Sequence, residues 1–280
     1  MSTRVCSALA LVCLLLVMAQ RAEAQPAGLG AGAELVDPKV LRVCADPRDL
    51  PYSDMQGRGF ENKIAVMFAK QLGKSLAYTF YPQVIGFVRN TLDALRCDVV
   101  MGVAEGYELV QTTNPYYRTT YVLVYRPGTG LDGVDSLGDK RLQGKHIGVV
   151  AGTPPATIMA SNGLMPDAQP YPLTVDTRVD APSKTMVGDI ASGKIDAGVL
   201  WGPLGGYWAK QSATKLTVVP LLKEHGAPMT FRITMGVRQS DQAWKRTLNR
   251  LIVEDRIKIN ALLASDGVPL LDNQGKLIAP

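Results

Sequence analysis

The sequence predicts an α/β protein of two lobes, each built on a parallel sheet flanked by helices, with two hinge strands joining them. Three observations carry this expectation. Short apolar runs that stop at turn residues alternate with amphipathic helical stretches; the alternation occurs in two series; and two extended segments, near residues 122–126 and 229–235, connect the series. A chain of 280 residues, 46% hydrophobic and 20% charged, is ordinary globular material, which excludes intrinsic disorder.

The elements follow in order. Val40–Ala45 is an apolar run closed by Asp46-Pro47, the way a buried parallel strand stops at its carboxyl-end loop. Phe60, Ile64, Met67, Phe68 and Leu72 share a helical face, and Gly73 stops that helix. Leu76–Tyr81 reads as a strand, Phe87–Leu95 as a helix, and Asp98–Met101 as a buried strand ending at Gly102. Thr120–Tyr125 is strand-like. The second series has strands at Lys145–Val150, Ile195–Leu200 and Leu216–Val219, with helices at Thr153–Ala160, Ala181–Ser192 and Trp201–Gln211. Thr230–Val237 is a long β segment, and Asp241–Ala264 is an amphipathic helix broken near Asp255. Lobe 1 is therefore expected at 38–124 plus 235–280 and lobe 2 at 125–234, the C-terminal helices returning to the first lobe.

The first 24 residues read as an export signal: Arg4, an apolar stretch from Val5 to Ala19, then the small-x-small site Ala22-Glu23-Ala24. The apolar stretch is shorter than the ~18 residues of a spanning helix, so a cleaved leader is expected rather than a membrane anchor. Cys13 lies behind bulky Val12, which argues against a lipoprotein. The Gly- and Ala-rich residues 25–37 read as a flexible tether, and the location as periplasmic. The formal net charge is +5, and losing Arg4, Arg21 and Glu23 with the leader lowers it by one. The basic residues are scattered, without the clustering that nucleic-acid binding requires. Cys6 and Cys13 fall in the leader, leaving Cys44 and Cys97 in an oxidising compartment. They are expected to pair, the alternative being two buried thiols; the closed loop would contribute on the order of 4 kcal/mol. With no Cys-x-x-Cys and only His146 and His225 as imidazole donors, no metal site is expected.

Ligands in open α/β sheets sit beyond the carboxyl ends of strands, which selects four loops. Asp46-Pro-Arg-Asp-Leu-Pro-Tyr52 carries Asp46, Asp49 and Tyr52 on a proline-stiffened turn. Gly102-Val-Ala-Glu-Gly-Tyr107 projects Glu105 and Tyr107 between glycines. Ala151-Gly-Thr-Pro-Pro155 opens a helix with Thr153 as N-cap and Pro154 in the first position. Leu200-Trp-Gly-Pro203 sets the Trp201 indole at a strand end, with Tyr207 on the helix that follows. Each has a plainer reading as a surface turn, a helix start or a core aromatic. Gly188–Lys194 mimics part of a phosphate loop, but Ile195 replaces the required hydroxyl and Gly193 reads as a helix stop. No Gly-x-Ser-x-Gly elbow occurs, so an enzyme would have to rely on Glu105 alone as proton donor; no catalysis is expected.

Leu41-Arg-Val-Cys-Ala-Asp46, Gly59-Phe-Glu61, Cys97-Asp-Val-Val-Met-Gly102 and Asn114-Pro-Tyr-Tyr117 resemble the bacterial extracellular solute-binding proteins of the amino-acid-receptor type. That likeness implies a type II periplasmic-binding-protein fold closing on a small solute. By the same likeness, the arginine that holds an amino-acid carboxylate falls near Gly106 or Tyr107. The acid that holds its ammonium falls at Trp201, so both zwitterion anchors are missing. The longer runs Arg42-Val-Cys-Ala-Asp-Pro47, Leu50-Pro-Tyr52, Gly59-Phe-Glu-Asn-Lys63, Gly86–Leu92, Cys97–Val103 and Thr112–Arg118 resemble the MxaJ/XoxJ family more closely. These are periplasmic partners of pyrroloquinoline-quinone (PQQ) methanol dehydrogenases, with a c-type cytochrome nearby in the pathway. The resemblance implies an accessory that assists maturation or activation of the dehydrogenase, with quinone and metal belonging to the enzyme and no cofactor held here. It does not separate a calcium- from a lanthanide-dependent client. The alternative is the receptor of an ABC transporter for a small organic ligand other than a free amino acid.

Overall fold

Strand β1 (Val40–Ala45) stands between two parallel neighbours in the computed structural model, which describes residues 35–173 and 175–278. The leader and most of the tether, residues 1–34 with Cys6 and Cys13, lie outside the described residues. A short hairpin of β2 (Arg48–Asp49) and β3 (Ser53–Asp54) follows β1, then helix α1 (Phe60–Leu72). Phe60, Ile64, Ala65 and Phe68 of α1 are buried against the sheet, and Gly73, at φ +64°, ends the helix as expected. Strand β4 (Ser75–Phe80) pairs with β1 along its whole length, from Val40 opposite Ser75 to Ala45 opposite Phe80. On the other side lies β5 (Val99–Ala104).

The helix expected over Phe87–Leu95 is one turn, α2 (Phe87–Asn90). Thr91 donates its hydroxyl to the Phe87 carbonyl at 2.7 Å, and Leu95 takes a left-handed conformation at φ 59°, so the chain folds into successive turns instead. Those turns deliver Cys97 to β1. Cys44 and Cys97 form a disulfide with Cα atoms 5.3 Å apart, closing a separation of 53 residues. Next to it, buried Asp98 receives Arg42 and Arg238, each within 2.7 Å, and Trp244 donates to its carbonyl.

After the two-residue β6 (Gln111–Thr112), β7 (Tyr117–Tyr125) belongs to both sheets. Residues Tyr117 to Thr120 pair antiparallel with β12 (Thr230–Val237) in lobe 1. From Tyr121 onward the strand pairs with β10 (Ala197–Trp201) and β11 (Thr217–Pro220) in lobe 2. The change of partner lies upstream of the 124/125 boundary expected from the sequence. In between, β8 (Ile147–Val150), α3 (Pro154–Ser161), β9 (Ala168–Tyr171), α4 (Pro182–Ser192) and α5 (Gly202–Gln211) complete a sheet ordered β11-β7-β10-β8-β9. The neighbours of β1 and of β8 are parallel, whereas the hinge strands run antiparallel, so the sheets are mixed rather than purely parallel. Each lobe has its own core: Val43, Ile64, Phe68, Met101 and Leu248 in one, Leu123, Leu137, Ile147, Met159 and Val199 in the other.

The last elements, α6 (Gln242–Glu254) and α7 (Arg256–Ser265), break at buried Asp255. Behind them Gly267, at φ +83°, meets Gly206 of α5 backbone to backbone; a Cβ on Gly206 would stand 1.9 Å from the Gly267 carbonyl oxygen. No described helix is long and apolar enough to cross a membrane.

Candidate functional site

A cavity of about 890 Å³ opens where the carboxyl ends of β1, β5 and β10 face each other between the lobes. The hairpin after β1 supplies Asp49 and Tyr52, and the first turn of α1 supplies Glu61. Thr153 enters from the start of α3, and Trp201 and Tyr207 from the end of β10 and from α5. The structure thus brings together five of the residues expected from sequence.

The other three are placed differently. Asp46 is buried beside the cavity, where it ties the lobes rather than lining the space. Its carboxylate accepts the Gln83 and Arg48 amides and, from lobe 2, the Thr177 hydroxyl at 2.7 and 2.8 Å. The neighbouring Arg48 guanidinium donates to the Arg178 carbonyl, also in lobe 2, at 2.8 Å. Glu105 and Tyr107 lie outside the cavity, contrary to expectation. The Glu105 amide follows the edge of β12 by donating to the Arg232 carbonyl, and the chain then turns at Gly106, φ +82°. Glu105 is left partly exposed, 3.4 Å from the Arg232 guanidinium, and Tyr107 is 42% exposed.

Aromatic side chains that the sequence reading did not select form much of the wall. Tyr117 and Tyr121 sit four apart on β7 and so share a face, while Phe231 comes from the facing hinge strand. Trp201 meets Tyr121 edge-on at 5.1 Å and Phe231 at 5.7 Å; Phe60 joins Tyr52 at 5.3 Å to Tyr117 at 6.1 Å. Thr153 occupies the N-cap position as expected, but its hydroxyl donates back to the Val150 carbonyl at 2.6 Å and does not cap the helix. The prolines at 154 and 155 have no N–H to cap.

Glu61 is the second omission. A glutamate in a first helical turn is ordinarily a solvated charge favoured by the helix dipole. Here it is 9% exposed, and its Oε1 would lie 2.3 Å from a Cβ at Gly102, so the bare glycine is what gives it room. The available signal was the pairing of Gly59-Phe-Glu61 with Gly102 in separate motif runs. Burial pushes the Glu61 carboxyl up to about 8, with the charges of Asp49 and Asp46 adding to the shift. Burial, then Asp46, raises Asp49 to about 7. Burial also holds the phenols of Tyr52, Tyr116 and Tyr117 well above their ordinary range. Desolvation therefore outweighs the helix dipole at this spot.

A second cavity of about 430 Å³, lined by Arg118, Arg232 and Arg256, lies under the C-terminal segment and contains none of the residues expected from sequence. Among the described residues, no group of three or more His, Cys, Asp or Glu side chains is placed to hold a metal ion.

No protein-family model matches the chain. Protein MoxJ of Methylorubrum extorquens AM1 is 32% identical over 286 aligned residues, covering 96% of this chain and 93% of that protein. The crystal structure of the periplasmic binding protein XoxJ from Methylobacterium extorquens AM1 superposes with a TM-score of 0.72 at 41% identity, covering 83% of this chain and all of that one. MxaJ from Methlophaga aminisulfidivorans MPT superposes at 0.70 with 27% identity, over 82% of this chain and all of that one. Two lobes, the strand β7 shared between their sheets, a cavity at the strand ends and these likenesses along nearly the full length agree: the chain belongs to the MxaJ/XoxJ family of periplasmic binding proteins.

Proposed function

We propose that this protein is a periplasmic accessory of methanol oxidation that binds a PQQ-dependent methanol dehydrogenase and assists its maturation or activation, with no turnover of its own. Family membership supports the pathway. The observation that carries the reading is the aromatic wall around Trp201, standing where amino-acid receptors of this fold are expected to hold an ammonium. With Trp201 in place of the expected acid, and Gly106 and Tyr107 in place of the expected arginine, the frame lacks the residues that the resemblance assigns to holding a free zwitterion. Asp49, Tyr52, Thr153, Trp201 and Tyr207 are proposed as binding residues, and Asp46 as the tie between lobes. Broad aromatic area with polar tips suits contact with another macromolecule.

The test is capture of the dehydrogenase by the purified protein, together with dehydrogenase activity in a strain lacking the gene. Co-purification and low activity in the deletion strain are expected; normal activation without this protein refutes the reading. A transporter receptor is the second reading, favoured by the volume of the cavity. Tight stoichiometric uptake of a small solute, with no capture of the dehydrogenase, would establish it instead.

A further inference from the structure

Glu61 is a buried carboxyl without a counterpart, costly to ionise where it stands. Its carboxylate lines the cavity, yet among the described residues no hydrogen bond or ion pair reaches it, and the same holds for the Asp49 side chain. Such burial costs several kcal/mol unless something compensates it. The titratable groups that face Glu61 are Asp46, Asp49 and the phenols of Tyr52, Tyr78, Tyr116 and Tyr117, none of which supplies positive charge. The Tyr116 hydroxyl is itself buried without a partner. Of the cations that line the cavity, only Arg58 is paired with a carboxylate. Arg48 donates to the Arg178 carbonyl, Arg58 pairs with Asp54 at 2.5 Å, and Lys184 lies 5.2 Å over the Trp208 ring.

We infer that the cavity takes an organic cation, an ammonium or guanidinium group held between the Glu61 and Asp49 carboxylates with its apolar stem against the Trp201, Tyr121 and Phe231 rings. Two features carry this: two carboxyls lacking a positive partner, and an aromatic wall whose ring faces attract cations. A bare metal ion fits poorly, because hard cations demand several oxygen ligands and the wall offers rings instead. The inference goes beyond the dehydrogenase reading and stands without it. The cation can be a free amine or the lysine side chain or amino terminus of a bound protein.

Because both carboxyls are partly protonated near neutrality, seating a cation should expel protons. Titration calorimetry with three probes of one shape tests this: 2-phenylethylammonium, 2-phenylethanol and 3-phenylpropanoate. The ammonium should bind, about tenfold or more tightly at about pH 9 than at about pH 6, with proton release visible as a buffer-dependent heat. Glu61→Gln and Asp49→Asn, checked for folding by circular dichroism, should each weaken it about tenfold or more, as loss of a buried charge partner does. Equal binding of the alcohol, an ammonium affinity indifferent to pH and to Glu61, or no binding of the ammonium overturns the inference. Retention of the dehydrogenase by the Glu61→Gln protein would identify a free amine as the source, and its loss a partner-borne one. Failure of the calorimetry with the dehydrogenase still captured rejects this inference alone.

Discussion

Replacing Glu61 by glutamine should flatten the dependence of stability on pH, by an amount that follows from its burial. The folded protein holds a proton on Glu61 up to about pH 8, whereas the unfolded chain releases it near the ordinary value of 4.5. Between those values the native state binds more protons than the unfolded state. Stability from this group is therefore complete below the unfolded value and is lost as pH rises through the folded one. The slope in that window is about 1.4 kcal/mol per pH unit, and integrating from pH 6 to pH 8 gives a loss of about 2 kcal/mol. Asp49 titrates in the same sense through about 7, so some slope remains in the variant. Urea denaturation followed by tryptophan fluorescence, in phosphate at pH 6, 7 and 8, measures the difference. The Glu61→Gln protein should gain about 2 kcal/mol on the wild type between the two ends of the range. Equal slopes in the two proteins would show that Glu61 is solvated or paired, and the reasoning would fail.

Three further outcomes are expected. Replacing both Cys44 and Cys97 by alanine should cost about 4 kcal/mol in chain entropy alone for a 53-residue separation, read as a lower denaturation midpoint; a loss below about 1 kcal/mol would mean the unfolded chain is already constrained there. Asp98→Ala leaves Arg238 buried at 8% exposure without one of its carboxylates and should destabilise by about 3–5 kcal/mol, whereas an exposed pair such as Lys223–Asp135 should cost less than about 1. Thr177→Val removes the hydroxyl that reaches Asp46 across the cleft, a bond to a charged group worth about 1.5–3 kcal/mol. Small-angle scattering should then show a larger radius of gyration; an unchanged profile would show that the tie does not hold the lobes together.

Much of the fold was legible because parallel strands buried on both faces must be apolar throughout and must stop at their turns. Thr230–Val237 was read to the residue, and Asp255 was recognised as the break between the last helices. Strand β9 carries Gln169 and Pro170 and has no apolar run; a proline is tolerated there because the strand lies at the sheet edge, which only the tertiary structure reveals. The same limit applies to the site. Trp201 and Thr153 were found because the strand-end rule depends on local sequence alone. Glu105 was misplaced because the pairing with β12 runs on past Ala104 to the Glu105 amide, which only the tertiary structure reveals. Glu61 was missed because its room is made by the absent side chain of Gly102, on a strand far along the chain.

The close approach of Gly206 to Gly267 joins the second lobe to the C-terminal segment without an intervening side chain. With bare backbone against backbone, there is no room for a side chain at this contact between α5 and the segment after the last helix. The Gly206→Ala protein would have to push those two backbones apart, so this one position ties the second lobe's last helix to the chain's final turn.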